Sequence, residues 1–134
     1  MSDLFRVESL DHLVLNCSDV PRATEWYERA LGATAVTYDG DLTALMVGTT
    51  CIRLRPSGAA GWLAAQNDLP GALDICLTTA TPVREMMILW ESLGIHTLRG
   101  PVRQTGARGV IESIYTRDPD GNLIEVANSF PPSP

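Results

Sequence analysis

His12-Leu13-Val14-Leu15 returns 62 residues later as Asp74-Ile75-Cys76-Leu77, and Ala30-Leu31-Gly32 returns at the same distance as Ser92-Leu93-Gly94. The two stretches also end alike. Val47-Gly48-Thr49-Thr50-Cys51-Ile52-Arg53-Leu54 has the layout of Asp118-Pro119-Asp120-Gly121-Asn122-Leu123-Ile124-Glu125-Val126. Self-similarity at a fixed period marks a duplicated unit. It sets His12 opposite Asp74 and Arg53 opposite Glu125. Polar residues at matching strand positions point to one site built between two halves.

Working outward, Leu10–Asn16 reads as a strand closed by the cap signal Ser18-Asp19. Pro21 suits the first turn of a helix running to Leu31, because its missing N–H costs nothing there. Gly32 ends that helix. Three strands follow, Ala33–Tyr38, Leu42–Val47 and Cys51–Arg55. The second half repeats the order: strand Leu73–Thr79, helix Pro82–Leu93 ended by Gly94, then strands near Ile95–Leu98, Val110–Thr116 and Leu123–Asn128. The fold class is therefore α+β. Paired βαβββ modules, 8–56 and 72–128, are joined by a Pro-, Gly- and Ala-rich linker, 57–71, within a single domain of 134 residues. One such module cannot cover its own sheet, so the two should form a curved mixed sheet around a concave cleft, with helices outside. Strand alternation then puts His12, Val14 and Asn16, with Asp74, Cys76 and Thr78, on the cleft side, and Glu125 on one face with Leu123 and Ala127.

Hydrophobic residues make up 45% and charged residues 19% of the chain, the balance of a globular domain. A net charge of −6 argues against a nucleic-acid surface, which needs clustered positive charge. Cys17, Cys51 and Cys76 form no CxxC pair and read as reduced, mostly buried residues of a cytoplasmic protein. No basic leader opens the chain, and no apolar run approaches the roughly 20 residues that span a bilayer. Neither membrane nor nucleic acid is therefore an expected partner.

Leu10-Asp11-His12-Leu13-Val14, Trp26-Tyr27 with Leu31-Gly32, and Tyr115-Thr116-Arg117-Asp118-Pro119-Asp120-Gly121-Asn122-Leu123-Ile124-Glu125 resemble the vicinal oxygen chelate superfamily. That group includes glyoxalase I, bleomycin-resistance proteins, fosfomycin-resistance enzymes, methylmalonyl-CoA epimerase and extradiol dioxygenases. More narrowly, Leu73–Leu77 and Gly100–Gly109 resemble glyoxalase domain-containing protein 5 and its bacterial relatives. The resemblance implies a homodimer and a divalent transition metal (Mn, Fe, Co, Ni or Zn), with no nucleotide cofactor. Metal ligands would come from the first and last strands of each module, which are His12, Arg53, Asp74 and Glu125 here. His12 and Glu125 match that pattern, and Asp74 stands where histidine is more usual. Arg53 cannot ligate, since a guanidinium offers donors only. The implied metal ligands are thus His12, Asp74 and Glu125.

One imidazole nitrogen and two carboxylates suit such metals, and open coordination positions would stabilise a developing anion. The implied activity is that of a metal-dependent lyase or isomerase on a small oxygenated anion. Glu125 and Tyr115 are the candidate catalytic groups. Arg53, Ser113, Tyr115, Arg103 and Arg108 are candidate substrate contacts; Ser113 and Tyr115 share a strand face, and the arginines suit carboxylate or phosphate. Three alternatives stand beside this. Arg53 replaces the metal by forking onto Asp74 or Glu125, or it turns outward and grips an anionic substrate. Otherwise the chain is a metal-free small-molecule or drug-binding protein of bleomycin-resistance type. Asp118–Asn122 reads as a turn that sets the register of the last strand.

Overall fold

The computed structural model describes residues 4–130, in which ten elements follow one another. They are β1 Leu13–Cys17, α1 Val20–Leu31, β2 Thr34–Tyr38, β3 Leu42–Val47, β4 Thr50–Pro56, β5 Asp74–Thr78, α2 Val83–Ser92, β6 Arg99–Gly106, β7 Gly109–Arg117 and β8 Leu123–Ser129. Each βαβββ module makes one four-stranded mixed sheet, in the orders β1-β4-β3-β2 and β5-β8-β7-β6. The first and last strands of a module run parallel, and the remaining pairs are antiparallel.

The two helices start by different means. Asp19 caps α1 by accepting from the Arg22 N–H, and Gly32 closes it at φ 66°, a left-handed conformation that glycine adopts without a Cβ clash. Helix α2 has Pro82 before it and no cap of its own. Its first N–H, that of Val83, donates instead to Asn128 Oδ1 on β8 at 2.9 Å. The Asn128 amide also donates to the carbonyls of Thr79 and Thr81. A side chain distant in sequence thereby satisfies the otherwise orphaned helix end.

Apolar faces of both modules merge into one core. Leu15, Tyr27, Ile52 and Leu54 of the first pack in the same cluster as Val83, Trp90, Ile114 and Ile124 of the second. Trp90 donates its indole N–H to the Ala30 carbonyl at 2.8 Å, and Tyr27 donates to Asp118 at 2.7 Å. Asp118 also accepts from the backbone N–H groups of Asp120 and Asn122 and from the Asn122 amide, while Leu73 N–H donates to Asn122. The Asp118–Asn122 turn therefore does more than set register, because it ties α1 to the start of β5.

The expected strand at Ile95–Leu98 is absent. Strand β6 lies instead at Arg99–Gly106, inside the stretch that composition marks as loop. An edge strand tolerates Pro101, whose missing donor would break a central ladder. Gly100, at φ 111°, lets β6 pass so close to β7 that any Cβ would strike the Ser113 carbonyl.

Candidate functional site

The open face of the second sheet concentrates the chemistry. On β8, Ile124 and Val126 enter the core, so Glu125 projects to the other side. Cys76 on β5 and Tyr115 on β7 stand directly beside Glu125 in register. Ser113, fully buried, donates to Glu125 Oε2 at 2.6 Å. Gln104 Nε2 on β6 donates to the same oxygen at 2.5 Å and also reaches Tyr115 Oη at 2.5 Å and Ser113 Oγ at 3.2 Å. Two N–H bonds thus serve three oxygens, which fixes the carboxylate, the phenol and the hydroxyl as one unit.

Burial, then the Glu125 charge, pushes the Cys76 thiol up to about 11, so it is protonated at neutral pH and is no ready nucleophile. Burial also raises Tyr115; the Gln104 hydrogen bond opposes this and the Glu125 charge adds to it. The phenol is therefore a proton-bearing donor. Cys76, Gln104, Tyr115 and Glu125 line a cleft of about 740 Å³, together with Arg108 and Phe130. That volume suits a small organic ligand.

The open face of the first sheet carries a second cluster. His12 Nδ1 lies 2.9 Å from Asp11 Oδ2, an arrangement that orients the imidazole and leaves Nε2 pointing elsewhere. Asp11 is held below its ordinary value, first by the His12 hydrogen bond and then by the His12 charge, with a smaller contribution from Arg53. The Arg53 guanidinium stacks on Tyr38 at 4.6 Å.

The fold thus brings together Glu125, Tyr115 and Ser113 and keeps Arg53 on the other sheet, with His12 just ahead of β1, which starts at Leu13 rather than at the expected Leu10. Asp74 begins β5, exposed, two residues from Cys76 on the same face. Among the described residues, Arg53 pairs with neither Asp74 nor Glu125, and no three His, Cys, Asp or Glu side chains stand close enough to hold a metal ion. Of the loop arginines, Arg108 lines the cleft, whereas Arg103 stacks on Phe130 at 4.6 Å and approaches Glu112 at 3.9 Å. Cys76 is exposed and Cys51 partly so; only Cys17 is buried as expected. Gln104 escapes a reading of the sequence because it sits in the supposed loop. Its signal is the alternation of Val102 and Gln104, which matches Ile111 and Ser113 across the hairpin.

A profile of the Glyoxalase/Bleomycin resistance protein/Dioxygenase superfamily matches residues 9–126. Virulence protein STM3117 of Salmonella typhimurium is 40% identical over 121 residues, covering 90% of this chain and 84% of that protein. Glyoxalase domain-containing protein RDO1 of Mycosarcoma maydis is 38% identical over 91% of this chain and 69% of its own length. Among solved structures, the integron cassette protein VCH_CASS1 of V. cholerae superposes with a TM-score of 0.90 at 41% identity, over 94% of this chain and 98% of that one.

Proposed function

We propose, since the chain belongs to the Glyoxalase/Bleomycin resistance protein/Dioxygenase superfamily, that it is a metal-dependent enzyme of lyase or isomerase type acting on a small oxygenated anion at Glu125. The observation that carries this reading is the fixed Glu125 carboxylate lining the cleft, with a protonated phenol beside it. The narrower kinship with glyoxalase domain-containing protein 5 belongs to the same proposal.

The donor types fit a divalent transition metal. Asp11 leaves His12 Nε2 for a ligand, and the two protein donors to Glu125 converge on Oε2 rather than on both oxygens. His12, Asp74 and Glu125 would hold the ion. When bound, it would polarise a substrate oxygen and stabilise negative charge. His12 adjoins the first sheet and Glu125 lies on the second, so the ligand set is proposed to close in a homodimer, with the first sheet of one copy facing the second sheet of the other.

The chain's own groups do the remaining work. Ser113 and Gln104 hold Glu125 in one rotamer, Tyr115 donates to a substrate oxygen, and Glu125 accepts a proton released beside it. Arg53, Arg103 and Arg108 supply positive potential for an anion in an acidic chain.

Metal content of protein purified without chelator tests this. About one ion per chain, lost in Asp74→Ala and Glu125→Ala, is expected for a three-ligand site with an open position. No metal in wild type, even after reconstitution with Mn²⁺, Ni²⁺ or Zn²⁺, overturns it. That outcome would favour the metal-free binding protein.

A further inference from the structure

On β4, Ile52 and Leu54 enter the core, so Arg53 and Arg55 share the opposite face, about 7 Å apart along the strand. Neither guanidinium is used up by the protein. Arg53 sets its guanidinium carbon over the Tyr38 ring, and among the described residues it forms no ion pair. Arg55 is only 4% exposed. Its Nη2 donates to Asp68 Oδ2 at 2.9 Å, and the Trp62 ring lies over it at 5.6 Å. Its Nε is buried without a hydrogen-bond partner, and so is Oδ1 of Asn16, its register neighbour on β1.

The Nε–Nη2 edge of a guanidinium takes a carboxylate through two parallel hydrogen bonds. Asp68 engages one of the two. It belongs to the Gly-, Pro- and Ala-rich segment 57–71, which crosses this end of the sheet with Trp62. A buried guanidinium N–H with no acceptor is costly, and a carboxylate free of that segment could satisfy both donors of the edge. Asp68, released, would return to water.

We propose that Arg53 and Arg55 form a recognition site for a short dicarboxylate, and that Asp68 is an internal carboxylate occupying Arg55 until the ligand displaces it. One ligand carboxylate takes the full edge of Arg55 and the other meets Arg53. The segment 57–71 lifts as Asp68 leaves. This rests on the preceding reading in making the first sheet a ligand face and in giving Arg53 to an anion; Glu125 and metal take no part.

The test is a succinate titration of protein stripped of metal with 1,10-phenanthroline, a chelator without carboxylates, and then dialysed, with acetate as the one-carboxylate control, followed by calorimetry and by Trp62 emission assigned through Trp62→Phe. Wild type should bind succinate saturably, with a change in Trp62 emission, and bind acetate about tenfold or more weakly. Asp68→Asn should tighten succinate by removing the competitor, whereas an aspartate that merely pins the segment would leave affinity unchanged or lower it. Arg53→Gln and Arg55→Lys should each weaken succinate by about tenfold. No saturable binding in wild type or Asp68→Asn overturns the proposal, as does affinity that ignores Asp68→Asn and Arg53→Gln. Should Asp68→Asn fail to fold, Arg53→Gln decides, since it alters only a partly exposed side chain. Metal-free protein separates the two readings: failure here leaves the metal site at Glu125 untouched, and loss of metal in Glu125 variants leaves this site untouched.

Discussion

Tyr27 of the first module donates its hydroxyl to Asp118 of the second at 2.7 Å inside the shared core. Hydrogen bonds to charged acceptors in such surroundings contribute about 1.5–3 kcal/mol. Tyr27→Phe should lower unfolding free energy by about that amount, read from urea melts at neutral pH.

The same core predicts the alkaline limit of stability. Burial raises the Cys17 thiol from 9.0 to about 12 and, with the Asp118 charge, raises the Tyr27 phenol well above its ordinary range. Above pH 9 the unfolded chain releases the Cys17 proton while the folded chain keeps it, so stability falls as pH rises. The stabilisation is fully present below pH 9 and is lost towards pH 12. Cys17 alone contributes a slope of about 1.4 kcal/mol per pH unit in that window. Urea melts of Cys17→Ala should show a shallower decline above pH 9 than wild type; parallel curves would remove Cys17 as the cause.

Cys76 offers a local probe of Glu125. Although exposed, its thiol stays protonated at pH 8, partly through the Glu125 charge, and should alkylate slowly with iodoacetamide. Glu125→Gln removes that charge and should accelerate modification several-fold, as measured by mass spectrometry of the Cys76 peptide.

Asn128 should matter more than a surface amide. Asn128→Ala removes the cap of α2 and two further hydrogen bonds, with an expected cost of about 2–3 kcal/mol. A change within a few tenths of wild type would show that water caps the helix equally well.

Complementation tests the shared site. His12→Ala and Glu125→Ala should each abolish metal binding alone. A mixed dimer should recover about one ion, because two-fold symmetry leaves one of its two sites intact. No recovery after subunit exchange would place both ligands in the same chain.

Much of this arrangement can be read from residue order alone. Period-2 alternation puts Ser113 with Tyr115 on one face of their strand and Glu125 on one face with Leu123 and Ala127, and the repeat locates the strand that starts just after His12 and the one that starts at Asp74. Gln104 is hidden because Gly100-Pro101 and Gly106 resemble loop, and an edge strand obeys weaker composition rules than a central one. Arg55 and Asp68 are hidden for another reason. Their contact depends on how the segment 57–71 folds back over β4, and no periodicity encodes that path.

Asn128 also bears on the history of the duplication. The first helix carries its own start signal at Asp19, whereas the second borrows one from the closing strand. The copies have diverged in their local grammar while keeping the same backbone plan. A graft of Val83–Ser92 into the place of Val20–Leu31 would find Asp19 waiting as its cap, whereas Val20–Leu31 placed after Pro82 would leave its own cap behind and depend on Asn128. The halves are now specialised parts, each legible only beside the other.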